Sequence, residues 1–284
     1  MMTWTFKTWL TSAVLTGTLI GGAALATAQD SSAGVSTVAV APLTPVSQTT
    51  TTAEEPTTVA LEAISTDARY SVSVLDLDSG AALTYGGGEF DTASIVKVDI
   101  LAALLHGHQQ AGTEMSDSER AQAAAMIERS DNAAATALFE AVGGKEGLDA
   151  FNQLIGLDDT EVGANGSWGL TQTTSDDQIA LLQVVFGSGS VLTASAQEYV
   201  ADLMSNVVEA QNFGVSAAAD DSGDAALKVG FLQRSTTGAW DVTSIGRIEA
   251  AGRTYLVAVL SDGNTRRGGG SPWSTRWPRR RSTG

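Results

Sequence analysis

The apolar residues of this chain change period twice, and the order of those changes restricts the fold more than any other feature. From Tyr70, "YSVSVLDLDSG" alternates apolar and polar residues, stops at Asp78-Ser79-Gly80 and is followed by "ALTYGGG". Period-two alternation that ends on turn residues predicts a strand hairpin. Over residues 94–105 the spacing becomes helical, with Ile95, Val98, Leu101, Ala102 and Leu105 on one face. Five more helices are expected. "SDSERAQAAAMIER" opens with Ser116 three residues before Glu119, a capping-box pattern. "NAAATALFEAVGG" and "KEGLDAFNQLIG" run to glycine, and "TSDDQIALLQVVFG" and "TASAQEYVADLMSNVV" start at N-cap residues. Period two then returns in "AALKVGFL", "TGAWDVTSIGRIEAAG" and "RTYLVAVLSDG". A strand pair, a helical block and a closing set of strands predict an α+β fold. Its antiparallel sheet is formed by the N-terminal hairpin and the C-terminal strands, flanked by helices, with an inserted all-helical region.

That body is expected over residues 61–264. Residues 1–28 read as a signal peptide: Lys7 precedes a small, apolar stretch, and "ATAQ" offers an A-x-A cleavage site after Ala28. Residues 29–60 are rich in Ser, Thr, Ala and Pro without an aromatic residue, the composition of a disordered linker. Residues 265–284 hold six of the sixteen basic residues and no acidic one, and read as a basic unstructured tail. The chain is therefore expected outside the cell or in its envelope, with no stable membrane anchor. A net charge of -16 leaves no basic face for nucleic acid. The absence of cysteine excludes disulfides, thiolate metal sites and a cysteine nucleophile.

Three short motifs carry chemistry. Ser94-Ile95-Val96-Lys97 stands at the start of the first long helix, and it uses one of only four lysines in the chain. Ser130-Asp131-Asn132 falls between two helices, and Lys228-Val229-Gly230 lies in a strand. Ser-x-x-Lys alone is a weak signal, whereas Ser-Asp-Asn is expected well under once by accident. In this order and context the three motifs resemble the signature of penicillin-recognising serine enzymes, the class A β-lactamases and penicillin-binding proteins. The resemblance runs over about residues 70–264 and is greatest to the smaller actinobacterial serine hydrolases of that superfamily.

The resemblance implies a two-part β-lactamase/transpeptidase-like architecture and a metal-independent reaction through an acyl-enzyme on Ser94. A hydroxyl at a helix N-terminus sits in positive potential, and Lys97, one turn on, lies on the same face. Partly desolvated and near Lys228, that amine would lose basicity enough to accept the serine proton. By resemblance Ser130 passes a proton to the leaving nitrogen, Asn132 holds the substrate amide, Lys228 attracts a carboxylate, and Gly230 lets substrate pack against the strand. Phe231 supplies the second oxyanion N–H on the same ground.

Several residues depart from the family pattern. Val229 lacks the usual hydroxyl, for which Ser235 or Thr236 are the candidate substitutes. The gap of 36 residues from Ser94 to Ser130 is short. "EVGAN" places Glu161 four residues before Asn165, the spacing of the water-positioning loop, with Ala164 in place of leucine. Glu161 is thus the candidate deacylation base, set against a solvated turn carboxylate. After Asn264 no C-terminal helix follows, so the outer sheet face is expected to stay uncovered. His106 and His108 lack a third metal ligand, and Asp220, Asp221 and Asp224 lack calcium-loop spacing. Trp168 and Trp240 read as core or cleft wall.

The expected function is a secreted, monomeric, cofactor-free serine hydrolase acting on small-molecule β-lactams or peptidoglycan-derived amides. A D-Ala-D-Ala peptidase or esterase of the same superfamily, and a non-catalytic wall-binding module, are the alternatives.

Overall fold

The computed structural model describes residues 67–266. The signal peptide, the linker and all but the first two residues of the basic tail lie outside that range. Strands β1 (Arg69–Asp76) and β2 (Ala82–Tyr85) form the expected hairpin. Its turn is held by Asp76, whose Oδ1 accepts the amides of Asp78 and Ser79, and Gly80 takes a φ of +73°. Three C-terminal strands complete the sheet: β5 (Ala226–Gln233), β6 (Trp240–Ala250) and β7 (Arg253–Asn264). The antiparallel order is β2-β1-β7-β6-β5, so the last strand pairs with the first and β5 stands at an edge.

Alternation along each strand sorts side chains into two layers. Ala226, Ile245, Leu256, Ala258 and Leu260 join the core shared with the helices. Val72, Val74, Leu227, Val229, Ile248, Tyr255, Val257 and Val259 form a second, outer cluster. The outer face is not left open as expected. Val215, Ala218 and Ala219, around the 3-10 segment Gly214–Ala218, join this cluster, and its residues are buried. The cover comes in part from the segment between the last helix and β5, which sequence pattern had not marked as structured.

Among the described residues, six helices fill the other side. They are α1 (Val96–Ala111), α2 (Asp117–Glu128), α3 (Asn132–Ala141), α4 (Gly144–Ile155), α5 (Ser175–Phe186) and α6 (Ala194–Ser205). All nine residues from Val96 to Leu104 are buried, so α1 is enclosed on every side by the other elements. Both halves of the Ser116–Glu119 capping box form at the start of α2. α5 docks on β1 through hydroxyls: Ser175 Oγ lies 2.7 Å from Ser71 Oγ and 2.8 Å from Ser73 Oγ. A two-strand ribbon that the sequence did not announce, β3 (Phe90–Asp91) with β4 (Gln172–Thr173), leads into α1.

Candidate active site

Ser94 sits in a 3-10 turn, Ala93–Ile95, which joins β3 to α1. The turn is tightly specified. Thr92 N–H donates to Thr171 O (2.8 Å), and Thr92 O accepts Thr243 Oγ1 (2.9 Å) from β6. Ala93 adopts a φ of +48°, a left-handed conformation that costs a non-glycine residue energy and redirects the chain just before Ser94. Opposite lies Gly230 on β5. A Cβ there would fall 2.5 Å from Thr243 Oγ1, 2.7 Å from Ser94 N and 2.8 Å from Thr92 O. Only glycine lets the edge strand come so near the amide of Ser94.

One turn further, Lys97 is fully buried yet polar-bound. Its ammonium donates to Ser130 O (2.7 Å), Ser130 Oγ (3.1 Å) and Asn132 Oδ1 (2.7 Å). Ser130 is another left-handed residue, with a φ of +59°. The following Asp131 caps α3 by accepting the Ala134 amide at 2.8 Å. From the sheet side Lys228 Nζ, also fully buried, donates to the same Ser130 Oγ at 3.0 Å and to Val229 O at 3.0 Å. Burial pushes the Lys97 amine down to about 8, with the negative charge of Asp131 opposing part of that fall. Burial, with the charge of Lys97 added to it, pushes Lys228 down to about 7. Two amines of reduced basicity thus share one hydroxyl.

The loop of residues 161–172 closes the other wall. Glu161 and Gln172 exchange N–H···O bonds of 2.9 Å in both directions, which fixes the base of the loop. Lys145 Nζ donates to Val162 O at 2.8 Å, and the Val162 amide donates to Asp149 Oδ1 at 3.3 Å, so α4 anchors the same end. Glu161 is exposed, and its carboxylate makes no hydrogen bond to Ser94, Lys97 or Ser130 among the described residues. Asn165 is also exposed, at a φ of +55°. The residue that this loop carries to the amine is Trp168, whose ring centroid lies 5.1 Å from Lys97 Nζ.

Val229, Ser235, Thr236, His108, Asp220 and Asp221 have their side chains away from this cluster. Val229 points into the outer layer, so a hydroxyl in its place would face apolar neighbours. Ser235 and Thr236 stand in the exposed turn after β5, roughly 20 Å along the strand direction from Lys228. The Phe231 ring stacks on that of Phe213, with centroids 6.4 Å apart. His108 bonds Thr113 and Glu119, while Asp220 and Asp221 accept the amides of Ala251 and Gly223. No group of three or more His, Asp or Glu side chains is placed to hold a metal among the described residues, and no helix there is long and apolar enough to cross a membrane.

Sequence reading missed a charge network beside the nucleophile turn. Arg234, just past β5, pairs with both Asp91 and Asp241, each 2% exposed at the side chain, and Gln172 Nε2 donates to Asp91. An arginine after a strand and two isolated aspartates carry no local signal of that meeting.

The family model described as "Beta-lactamase enzyme family" matches residues 118–274. The chain belongs to this family. The match includes Ser130, Asn132, Lys228 and Gly230 and begins beyond Ser94 and Lys97. Comparison with curated proteins finds no match. Among solved structures, TLA-1 extended-spectrum β-lactamase is similar with a TM-score of 0.66 and 18% identity, covering 74% of this chain and 90% of that one. A class A β-lactamase from Bacteroides cellulosilyticus gives a TM-score of 0.60 at 16% identity, over 70% of this chain and 85% of its own. A β-lactamase from Chitinophaga pinensis gives 0.61 at 16%, over 71% and 87%. At these identities the likeness is one of fold. The α+β fold of the β-lactamase family and the family match together make the protein a class A β-lactamase-like serine hydrolase.

Proposed function

We propose that this protein is an exported enzyme that opens β-lactams or related cell-wall amides by forming an ester on Ser94. The observation that carries the reading is the Ser130 hydroxyl held between Lys97 and Lys228 at 3.1 and 3.0 Å, both amines lowered in basicity by burial. Neutral Lys97 takes the Ser94 proton as Oγ adds to the substrate carbonyl carbon. The oxyanion that forms lies against the edge strand, between the backbone of Ser94 and that of Phe231. As the C–N bond breaks, the proton passes from Lys97 through Ser130 to the departing nitrogen. Protonated Lys228 attracts the substrate carboxylate, Asn132 binds its side-chain amide, and Gly230 admits it to β5. Hydrolysis of the ester by water then regenerates Ser94.

Intact-mass measurement after brief exposure to a fluorescent penicillin tests this. The expected outcome is one adduct on Ser94, lost in Ser94→Ala. Turnover of a chromogenic cephalosporin marks a β-lactamase, and capture without turnover marks a peptidase. If Ser94→Ala still forms the adduct, or the native protein forms none, the reading is wrong.

A further inference from the structure

The aromatic neighbour of Lys97 has no part in that mechanism, yet it is held firmly. The Trp168 indole N–H donates to Thr136 Oγ1 on α3 at 3.2 Å. Its carbonyl accepts Thr171 Oγ1 at 2.7 Å, and Thr171 O accepts the amide of Thr92, two residues before Ser94. The ring is therefore tied to the helical block on one side and to the nucleophile turn on the other. Around Lys97 Nζ the polar partners are Ser130 and Asn132, and the ring of Trp168 is a further neighbour. Among the described residues no ion pair or hydrogen bond sets a carboxylate against Lys97, Ser130 or Lys228.

Resting on the acyl-enzyme reading above, we propose that Trp168 is a positioning residue that prolongs the Ser94 ester by capping Lys97 against water. To release the acyl group, a water oxygen must add to the ester carbon and give up a proton, while the carbon–Oγ bond breaks and Oγ regains one. That step needs a base beside the water. Neutral Lys97 is the base at hand, and the indole face occupies its approach from the loop side. Glu161 is seven residues away, at the loop's base, with its backbone locked to Gln172. The ester persists because the loop presents an aromatic ring where a hydrolytic water would need room.

The test compares the native protein with Trp168→Ala, Trp168→Phe, Thr136→Val and Glu161→Gln after loading with a fluorescent penicillin. Adduct lifetime is read by intact mass, and the acylation rate is followed against pH. At pH 9, where Lys97 is mostly neutral, Trp168→Ala is expected to shorten the adduct lifetime roughly tenfold. It also lowers the maximum acylation rate and moves the upper limb to higher pH, since burial is the larger influence on Lys97. Trp168→Phe keeps the cap and stays near native on both measures. Thr136→Val loosens the ring and shortens the lifetime in the same direction, which serves if Trp168→Ala does not fold. Glu161→Gln leaves the lifetime unchanged. Equal lifetimes in the native protein, Trp168→Ala and Thr136→Val, or a longer one in Glu161→Gln, overturn the proposal while the Ser94 ester stands. No adduct in the native protein overturns the ester reading and this proposal with it.

Discussion

Lys97 and Lys228 face each other across the Ser130 hydroxyl, and the low-dielectric setting makes it costly for both to be charged. The proposed mechanism needs Lys97 neutral and Lys228 protonated, the less populated arrangement for values near 8 and 7. The acylation rate should then follow a bell with its maximum between about pH 7 and 8, its limbs belonging to the coupled pair. Asp131→Asn keeps the α3 cap but removes the charge that raises Lys97, so stopped-flow acylation should show a higher maximum rate and the upper limb displaced to lower pH. A maximum rate that stays level or falls rejects the assignment of Lys97 as base. Asp99 offers a second titration, this one affecting stability. Burial pushes its carboxyl up to about 8, against the Asn152 hydrogen bond, and Asp149 adds to the rise. A raised folded value means stability is full below the unfolded value and is lost as pH climbs to about 8. Asp99→Asn cannot ionise, so its stability advantage in urea melts should grow between pH 5 and 8, by up to roughly 1 kcal/mol per pH unit, and level off above. A pH-independent difference would show that Asp99 is charged in the fold. The site motifs could be read from sequence because short-range geometry dictates them: Ser94 and Lys97 are one helical turn apart, and Ser130 to Asn132 form a cap and its neighbours. Trp168 could not, since its contact with Lys97 depends on the path of a loop about seventy residues downstream. Glu161 has the family spacing, but the Gln172 bridge decides where the loop base lies.

Arg234 belongs to the scale of elements, because it ties the end of β5 to β3 and β6 through Asp91 and Asp241. Two carboxylates 2% exposed are tolerable only beside that guanidinium. Arg234→Ala should cost about 3 kcal/mol by leaving buried charge unpaired, and the melting temperature should fall by roughly 6–12 °C at neutral pH. The loss should shrink in acid. Burial already raises Asp241, Arg234 is the chief influence that lowers it, and protonation removes the unpaired charge. Arg234→Lys should recover only part of the stability, since a single ammonium does not span two partners as a guanidinium fork does. A melting temperature within a degree or two of native at pH 7 would show that the network contributes little. The long elements were readable because each has its own signal: alternation in β1 and β7, the capping box of α2, the Thr174 and Thr193 caps of α5 and α6. The β3–β4 ribbon was not. Strands of two residues have no period, and only the pairing of Phe90 with Thr173 and Asp91 with Gln172 defines them. The outer cover around Val215 escaped for a similar reason, since a 3-10 segment packed on a sheet leaves no repeating apolar pattern.

For the molecule as a whole the decisive fact is that one core crosses the boundary between sheet and helical block. Ile245, Leu256, Ala258 and Leu260 of the sheet belong to the same buried cluster as Leu101, Met126, Leu138, Leu148 and Leu182 of the helices. The cleft lies on that seam: Ser130 comes from the helical side, Lys228 from the sheet, and Ser94 from the turn that starts the enclosed helix α1. Hydrogen-bond distances near 3 Å across such a seam survive only if the two sides do not move independently. A shared core provides this, and it also predicts how the protein unfolds. Leu101, fully buried in the middle of α1, tests it. Leu101→Ala should cost about 3 kcal/mol through lost burial and a residual cavity. Because the core is continuous, hydrogen exchange should show α3 and β7 losing protection by the same free energy, within one cooperative transition. Acylation by the folded fraction should be nearly unchanged at low temperature, as Leu101 makes no contact in the site's hydrogen-bond network. If α3 opens while β7 keeps its native protection, the two halves are separate folding units, and the geometry around Ser130 must then be held by local bonds alone.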